Sequence, residues 1–294
     1  MRFQPNLLLP LACALVYVFG ALAVKRASVF GVGVWRTSFL SNWAVALLFL
    51  PVWFWHGGRV HPGFEYWQPA LTALLFLAGQ ALMFFALGRG DVSVVTPVMG
   101  TKVIIVALGS SLLRVGEVPV KWWIGAGLST AAILLLHSGE ESKHRNVRQT
   151  VLLAFGSAAS FGAGDVLLQK WVPAWGAADF FPPMFLIVGL LSCFFIPWFS
   201  APLSALTAPA WRWVGPGALL MALNNAGVVL AIGLVGSATA VNIVYSARGL
   251  FSVLLVWLVG HWFSNEEHHL GGKVLRLRFV GATLMVAAIA LVLL

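Results

Sequence analysis

The sequence predicts an all-α polytopic membrane protein, with ten transmembrane helices in two inverted five-helix repeats. Three observations carry this prediction. Of the 294 residues, 60% are hydrophobic and only 9% are charged, whereas a soluble domain carries about a quarter charged residues. Apolar runs near the ~20 residues that cross the hydrocarbon core as a helix recur along the whole chain. Polar landmarks of the first half return in the second at a constant offset.

In chain order the apolar runs are 7–24, 34–54, 70–88, 92–113, 120–137, 150–169, 181–199, 214–235, 237–259 and 278–294. The first follows Arg2 as a signal peptide would, but it runs on through Val24 with no convincing cleavage site and reads as a span. Gly90-Asp91 and Gly236-Ser237 form tight turns, and such short links make neighbouring helices antiparallel. The long polar links are 138–149 (SGEESKHRNVRQ) and 260–277. The first of these divides the chain into a five-helix repeat over 1–137 and a second over 150–294.

Moving residues 31–113 forward by 146 positions superimposes the spans of the two halves. Pro51 meets Pro197, Gly90 meets Gly236, Gln80 meets Ala226 beside Asn224 and Asn225, and Lys102 meets Arg248. Residue identity between the halves is no higher than apolar composition produces by itself, so the register is the argument. Five spans are an odd number, which turns the second half upside down. Inverted repeats of this kind place a transport site near the bilayer midplane.

The net charge is +9. Its basic residues sit mostly in short links without interleaved aromatics, which argues against a nucleic-acid partner and suits contact with lipid headgroups. The chain has 14 tryptophans. Those at the ends of the runs, such as Trp53, Trp122 and Trp198, form an aromatic belt. Cys13 and Cys193 lie in apolar runs and suggest no disulfide or metal framework. His268 and His269 beside Glu266 and Glu267 read as a hydrated loop. Gly156, Ser160 and Gly164 form a small-residue stripe for close helix packing. No nucleotide-binding loop and no GxSxG or HExxH motif is present. The expectation is a non-enzyme without metal or cofactor.

Two charges stand out. Lys102 and Arg248 each lie halfway along a span, where an ionised group costs ~2.5–3.5 kcal/mol on the gentler insertion scale. Half a span is ~15 Å, too far for the side chain to reach the headgroups, so both must face protein or a wet cavity. Asp165 is the acidic residue clearly inside a span. One aspartate cannot neutralise two cations, which leaves a positive charge for an anionic substrate. Asp165 itself is either a counter-ion or a protonatable carboxylate that couples transport to a proton. Asn242, Tyr245 and Arg248 share one face of the ninth span. Gln80, Asn224, Asn225 and Thr96 complete the expected substrate-binding set; each amide could instead be an interhelical hydrogen bond. Lys25 and Arg36 read as headgroup or vestibule residues.

The sequence resembles the drug/metabolite transporter superfamily in its ten-helix EamA form. The resemblance rests on Lys25-Arg26 followed by Arg36, on FFALGRGDVSVVTPV (Phe84–Val98) with its Pro97, and on RVGEVPVKWWIGAGLSTAAILLL (Arg114–Leu136) with its Gly116-Glu117 link. The second half departs from it, since GHWFSNEEHHLGGKVLRLR (Gly260–Arg278) stands where the family has a short Gly-Glu link. The resemblance implies a secondary transporter exporting a small organic metabolite, such as an amino acid, across a bacterial inner membrane, with cytoplasmic termini. Lys and Arg outside the spans are more numerous on the side opposite the termini, which opposes that orientation. Alternatives are an organic-phosphate or nucleotide-sugar exchanger, an intramembrane lipid-modifying enzyme and a non-transporting scaffold. Expected partners are the substrate, the bilayer and a coupling proton or counter-substrate, in a monomer or homodimer.

Overall fold

The computed structural model describes residues 5–55, 61–90, 92–136, 147–259 and 272–294. Among the described residues there is no strand. The helices are α1 (Leu8–Ser28), α2 (Val34–Trp55), α3 (Trp67–Arg89), α4 (Val92–Gly100), α5 (Lys102–Leu112), α6 (Val120–Leu136), α7 (Val147–Trp175), α8 (Ala177–Leu191), α9 (Ala208–Val235), α10 (Ala238–Tyr245), α11 (Arg248–Val259) and α12 (Gly272–Leu293). Among the described residues nine helical segments are long and apolar enough to cross a membrane. The tenth, α6, has 17 residues, about 26 Å at 1.5 Å per residue, close to the thickness of the hydrocarbon core. Every expected span coincides with a helical segment, so the protein is an all-α, multi-pass membrane protein. Large apolar side chains such as Leu47, Leu112, Leu152 and Phe194 are exposed on its outside, as a lipid-facing surface requires. The first residues of the long polar link, 138–146, and the pair His268 and His269 lie outside the described residues.

Two expected spans are not single helices. The fourth breaks at Thr101 between α4 and α5, and the ninth at Ser246-Ala247 between α10 and α11. Pro97 lacks an N–H and weakens the ladder just before the first break. At each break a hydroxyl takes a carbonyl three residues back: Thr101 Oγ1 donates to Val98 O at 2.7 Å, and Ser246 Oγ to Ile243 O at 2.5 Å. Thr130 Oγ1 on α6 also reaches the carbonyl of Gly100 at 3.2 Å. Freed backbone groups at membrane depth must find such partners, because lipid offers none. The first residue after each break is one of the two cations, Lys102 and Arg248.

The sixth span is longer than expected, running from Val147 to Trp175. Gly176 ends it with φ 85°, a left-handed conformation natural to glycine, and α8 begins at the next residue. The small-residue stripe packs as read: a Cβ on Gly156 or Gly164 would lie 3.3 Å from Leu82 or Phe76 of α3. The main pairings join the two halves of the chain. α1 packs on α9, α3 on α7, α2 on α8 and α6 on α12, while α4 and α5 lie on α7, and α10 and α11 on α1. Exchanging each span for the one five places along leaves this set of partners unchanged.

Candidate functional site

The helix breaks and α7 together build a charged centre. Along one face of α7, Phe161, Asp165 and Gln169 recur at intervals of four residues. Lys102, at the start of α5, places Nζ 2.7 Å from Asp165 Oδ2 and 5.7 Å from the centre of the Phe161 ring. Asn242 of α10 donates from Nδ2 to the same Oδ2 at 2.7 Å, and also to the carbonyl of Ala238 at 2.9 Å. Asp165 is 1% exposed and the Lys102 side chain 15%. The other carboxylate oxygen, Asp165 Oδ1, is buried with no hydrogen-bond partner. One carboxylate therefore ties both broken spans to α7.

Arg248 sits differently. Among the described residues it forms no ion pair. Its guanidinium lies 4.9 Å from the ring centres of both Tyr17 on α1 and Tyr245 on α10. A cation against aromatic faces gains up to about 2 kcal/mol when desolvated. Its Nη1 also donates to Tyr245 Oη, at a long 3.5 Å. A guanidinium carries five N–H donors in a planar fork, so most of its hydrogen-bonding capacity is unspent on these neighbours. Asn224 lies beside Tyr245. It donates from Nδ2 to Asn225 Oδ1 at 3.3 Å, while its own Oδ1 is buried without a partner.

The structure thus gathers Lys102, Asp165 and Asn242 into one cluster, and Arg248, Tyr245, Asn224 and Asn225 into another. Thr96 is half-buried on α4, five residues before the break. Gln80 belongs to neither cluster. It exchanges two hydrogen bonds of 3.0 Å with Asn42, locking α3 to α2. Arg36 is no vestibule residue: it is buried, donating to the carbonyl of Gly31 and to Ser200 Oγ at 2.7 Å. An arginine at a span boundary can reach water, but here the α1–α2 link folds over it.

Three residues escaped the sequence reading. Tyr17 had a signal, since the chain has only 3 tyrosines and two of them converge on Arg248. Gln169 had one too, as a second polar side chain one turn after Asp165. Asn42 is a mid-span amide, and nothing in its spacing pointed to Gln80.

Residues 6–138 match the EamA-like transporter family, part of the drug/metabolite transporter superfamily. A solved structure described only as "Crystal structure of protein" aligns with TM-score 0.76 over 99% of this chain and 98% of its own, at 16% identity. At that identity the likeness is one of fold. No curated protein matches the chain.

Proposed function

We propose that this protein, which over residues 6–138 belongs to the EamA-like transporter family, is a secondary transporter of a small carboxylate-bearing metabolite. Its two five-helix repeats, 1–137 and 150–294, move by alternating access around the helix breaks. The single observation that carries the reading is the contrast in charge balance. Lys102 is paired with Asp165 at 2.7 Å, whereas Arg248 forms no ion pair among the described residues: its close contacts are two tyrosine rings, and Asp165 acts on it only at longer range. A carboxylate bound in the plane of the guanidinium supplies the missing negative charge through two parallel hydrogen bonds.

The two buried acceptors without partners, Asp165 Oδ1 and Asn224 Oδ1, favour a substrate that also carries N–H donors. An amino acid or a close relative has that combination. A sugar phosphate could satisfy Arg248 with its phosphate and the two acceptors with its hydroxyls, but it lacks the ammonium that would complement the Asp165 carboxylate, so an organic-phosphate exchanger is the second arm of the test. Asp165 is the coupling group: a proton on its carboxylate releases Lys102 from the pair. Transport runs outward across a bacterial cytoplasmic membrane, with both termini in the cytoplasm.

The test is counterflow of radiolabelled amino acids and of sugar phosphates into proteoliposomes. Wild-type protein accumulates an amino acid, and Arg248→Ala abolishes that accumulation while leaving the protein folded. Undiminished transport by Arg248→Ala would sink the assignment, and accumulation of the phosphates alone would replace the substrate class.

A further inference from the structure

Beyond the charged cluster, α7 carries Gln169, one turn after Asp165, and this side chain bonds to three other segments at once. Its Oε1 accepts from the backbone N–H of Ala238 at 2.9 Å and from Ser110 Oγ at 3.3 Å. Its Nε2 donates to the carbonyl of Val115. Ser110 lies near the end of α5, Val115 in the link that follows, and Ala238 is the first residue of α10. Gln169 is buried, 8% exposed.

The position matters more than the number of bonds. Spans alternate in direction, so the end of the fourth, the end of the sixth and the start of the ninth lie on one face of the membrane. On that face an open crevice of about 650 Å³ is lined by Ser111, Arg114, Gly116, Glu117, Pro119 and neighbouring valines. Its wall is the same link whose Val115 carbonyl Gln169 holds. Gly116 packs close behind, where a Cβ would come within 3.2 Å of Gln169 Nε2. Gln169 thus holds the wall of the crevice from the inner side and stands one helical turn from Asp165 on α7.

We propose that Gln169 is the latch that closes this mouth. It ties the ends of the two broken spans to α7, so that either end swings out only when the shared amide lets go. The inference rests on the transporter reading, but the experiment below reads access and not transport, so the two can fail separately. Gln169 is here a positioning residue and does not touch the substrate.

The test uses a buried cysteine as reporter in full-length protein in lipid nanodiscs. Cys13→Ala and Cys193→Ser first remove the native thiols. Thr239→Cys, in the first turn of α10, then places a thiol at a buried site whose hydroxyl has no partner to lose. Ser41→Cys does the same on α2, which makes no hydrogen bond to Gln169. Labelling by a charged, water-soluble maleimide is compared with and without Gln169→Met, which keeps the side chain's length and removes all its hydrogen bonds.

We expect Thr239→Cys to label about tenfold faster in the Gln169→Met background, as loss of hydrogen bonds shifts the population towards the open mouth. Labelling of Ser41→Cys should stay unchanged. Equal acceleration at both positions would mean that Gln169 only holds the fold together, and no acceleration at either would mean that it is no latch. Each of those results overturns the proposal.

Discussion

Lys102 and Arg248 occupy matching positions in the two halves, each opening the second segment of a broken span. Their surroundings are opposite. Lys102 meets a carboxylate at 2.7 Å, and Arg248 meets two tyrosine rings at 4.9 Å. The difference follows from α7, which passes the first break with an aspartate. The span that takes the equivalent place at the second break is α1, and it offers Tyr17. Equivalent backbone geometry thus yields one closed electrostatic pair and one open cation. In the transporter proposed above, the pair serves as the switch and Arg248 as the binding site.

The largest way to break this contrast is to remove the carboxylate. Asp165→Asn leaves Lys102 buried without a counter-charge, and loss of one partner of a buried pair costs about 3–5 kcal/mol. Thermal unfolding in detergent should show a drop of many degrees, and Lys102→Met combined with Asp165→Asn should recover most of it. If the double variant is no more stable than Asp165→Asn, the pair is not the reason for the loss.

Next in size is Arg248→Lys, which keeps the charge but loses the planar fork. Charged hydrogen bonds are worth about 1.5–3 kcal/mol each, so substrate affinity measured by calorimetry should fall by ten- to a hundredfold while stability barely moves. The same change at position 102, Lys102→Arg, should leave affinity within about threefold if the two cations differ as described, since a factor of three is under 1 kcal/mol.

A smaller effect is expected for Tyr17→Phe. The ring stays and only the hydroxyl goes, so the cation–aromatic contact persists and affinity should change by less than about 1 kcal/mol. Tyr17→Leu removes the ring and should cost more; equal behaviour of the two variants would show that the aromatic face contributes nothing. The smallest effect belongs to Gln80→Leu with Asn42→Leu. Interhelical polar pairs in membranes average about 0.6 kcal/mol, so this double change should lower stability slightly and leave binding untouched. A clear loss of affinity would return Gln80 to the site.

The ten spans were legible because lipid imposes a local rule, an apolar run of sufficient length. The equivalence of Lys102 and Arg248 was legible because it is a matter of register. The expectation of a left-over cation came from charge count, since Asp165 is the acidic residue that the sequence places clearly inside a span; the structure adds Asp179 to the first turn of α8. Gln80 was placed with the site because an amide in mid-span looks the same whether it faces a cavity or another amide. Asn42, its partner at 3.0 Å, lies on a different helix, and only packing decides such a meeting.

By itself, then, the sequence determined the class of the molecule, the number and order of its spans and the presence of two cations at mid-span. Each of these follows from one-dimensional quantities: hydropathy, spacing and charge count. The tertiary structure decided which cation Asp165 neutralises, that two tyrosines from different spans face the other, and that Gln169 gathers Ser110, Val115 and Ala238. Those contacts join residues far apart in the chain. Their distances depend on how α1, α5, α7 and α10 pack together, and no local pattern encodes that.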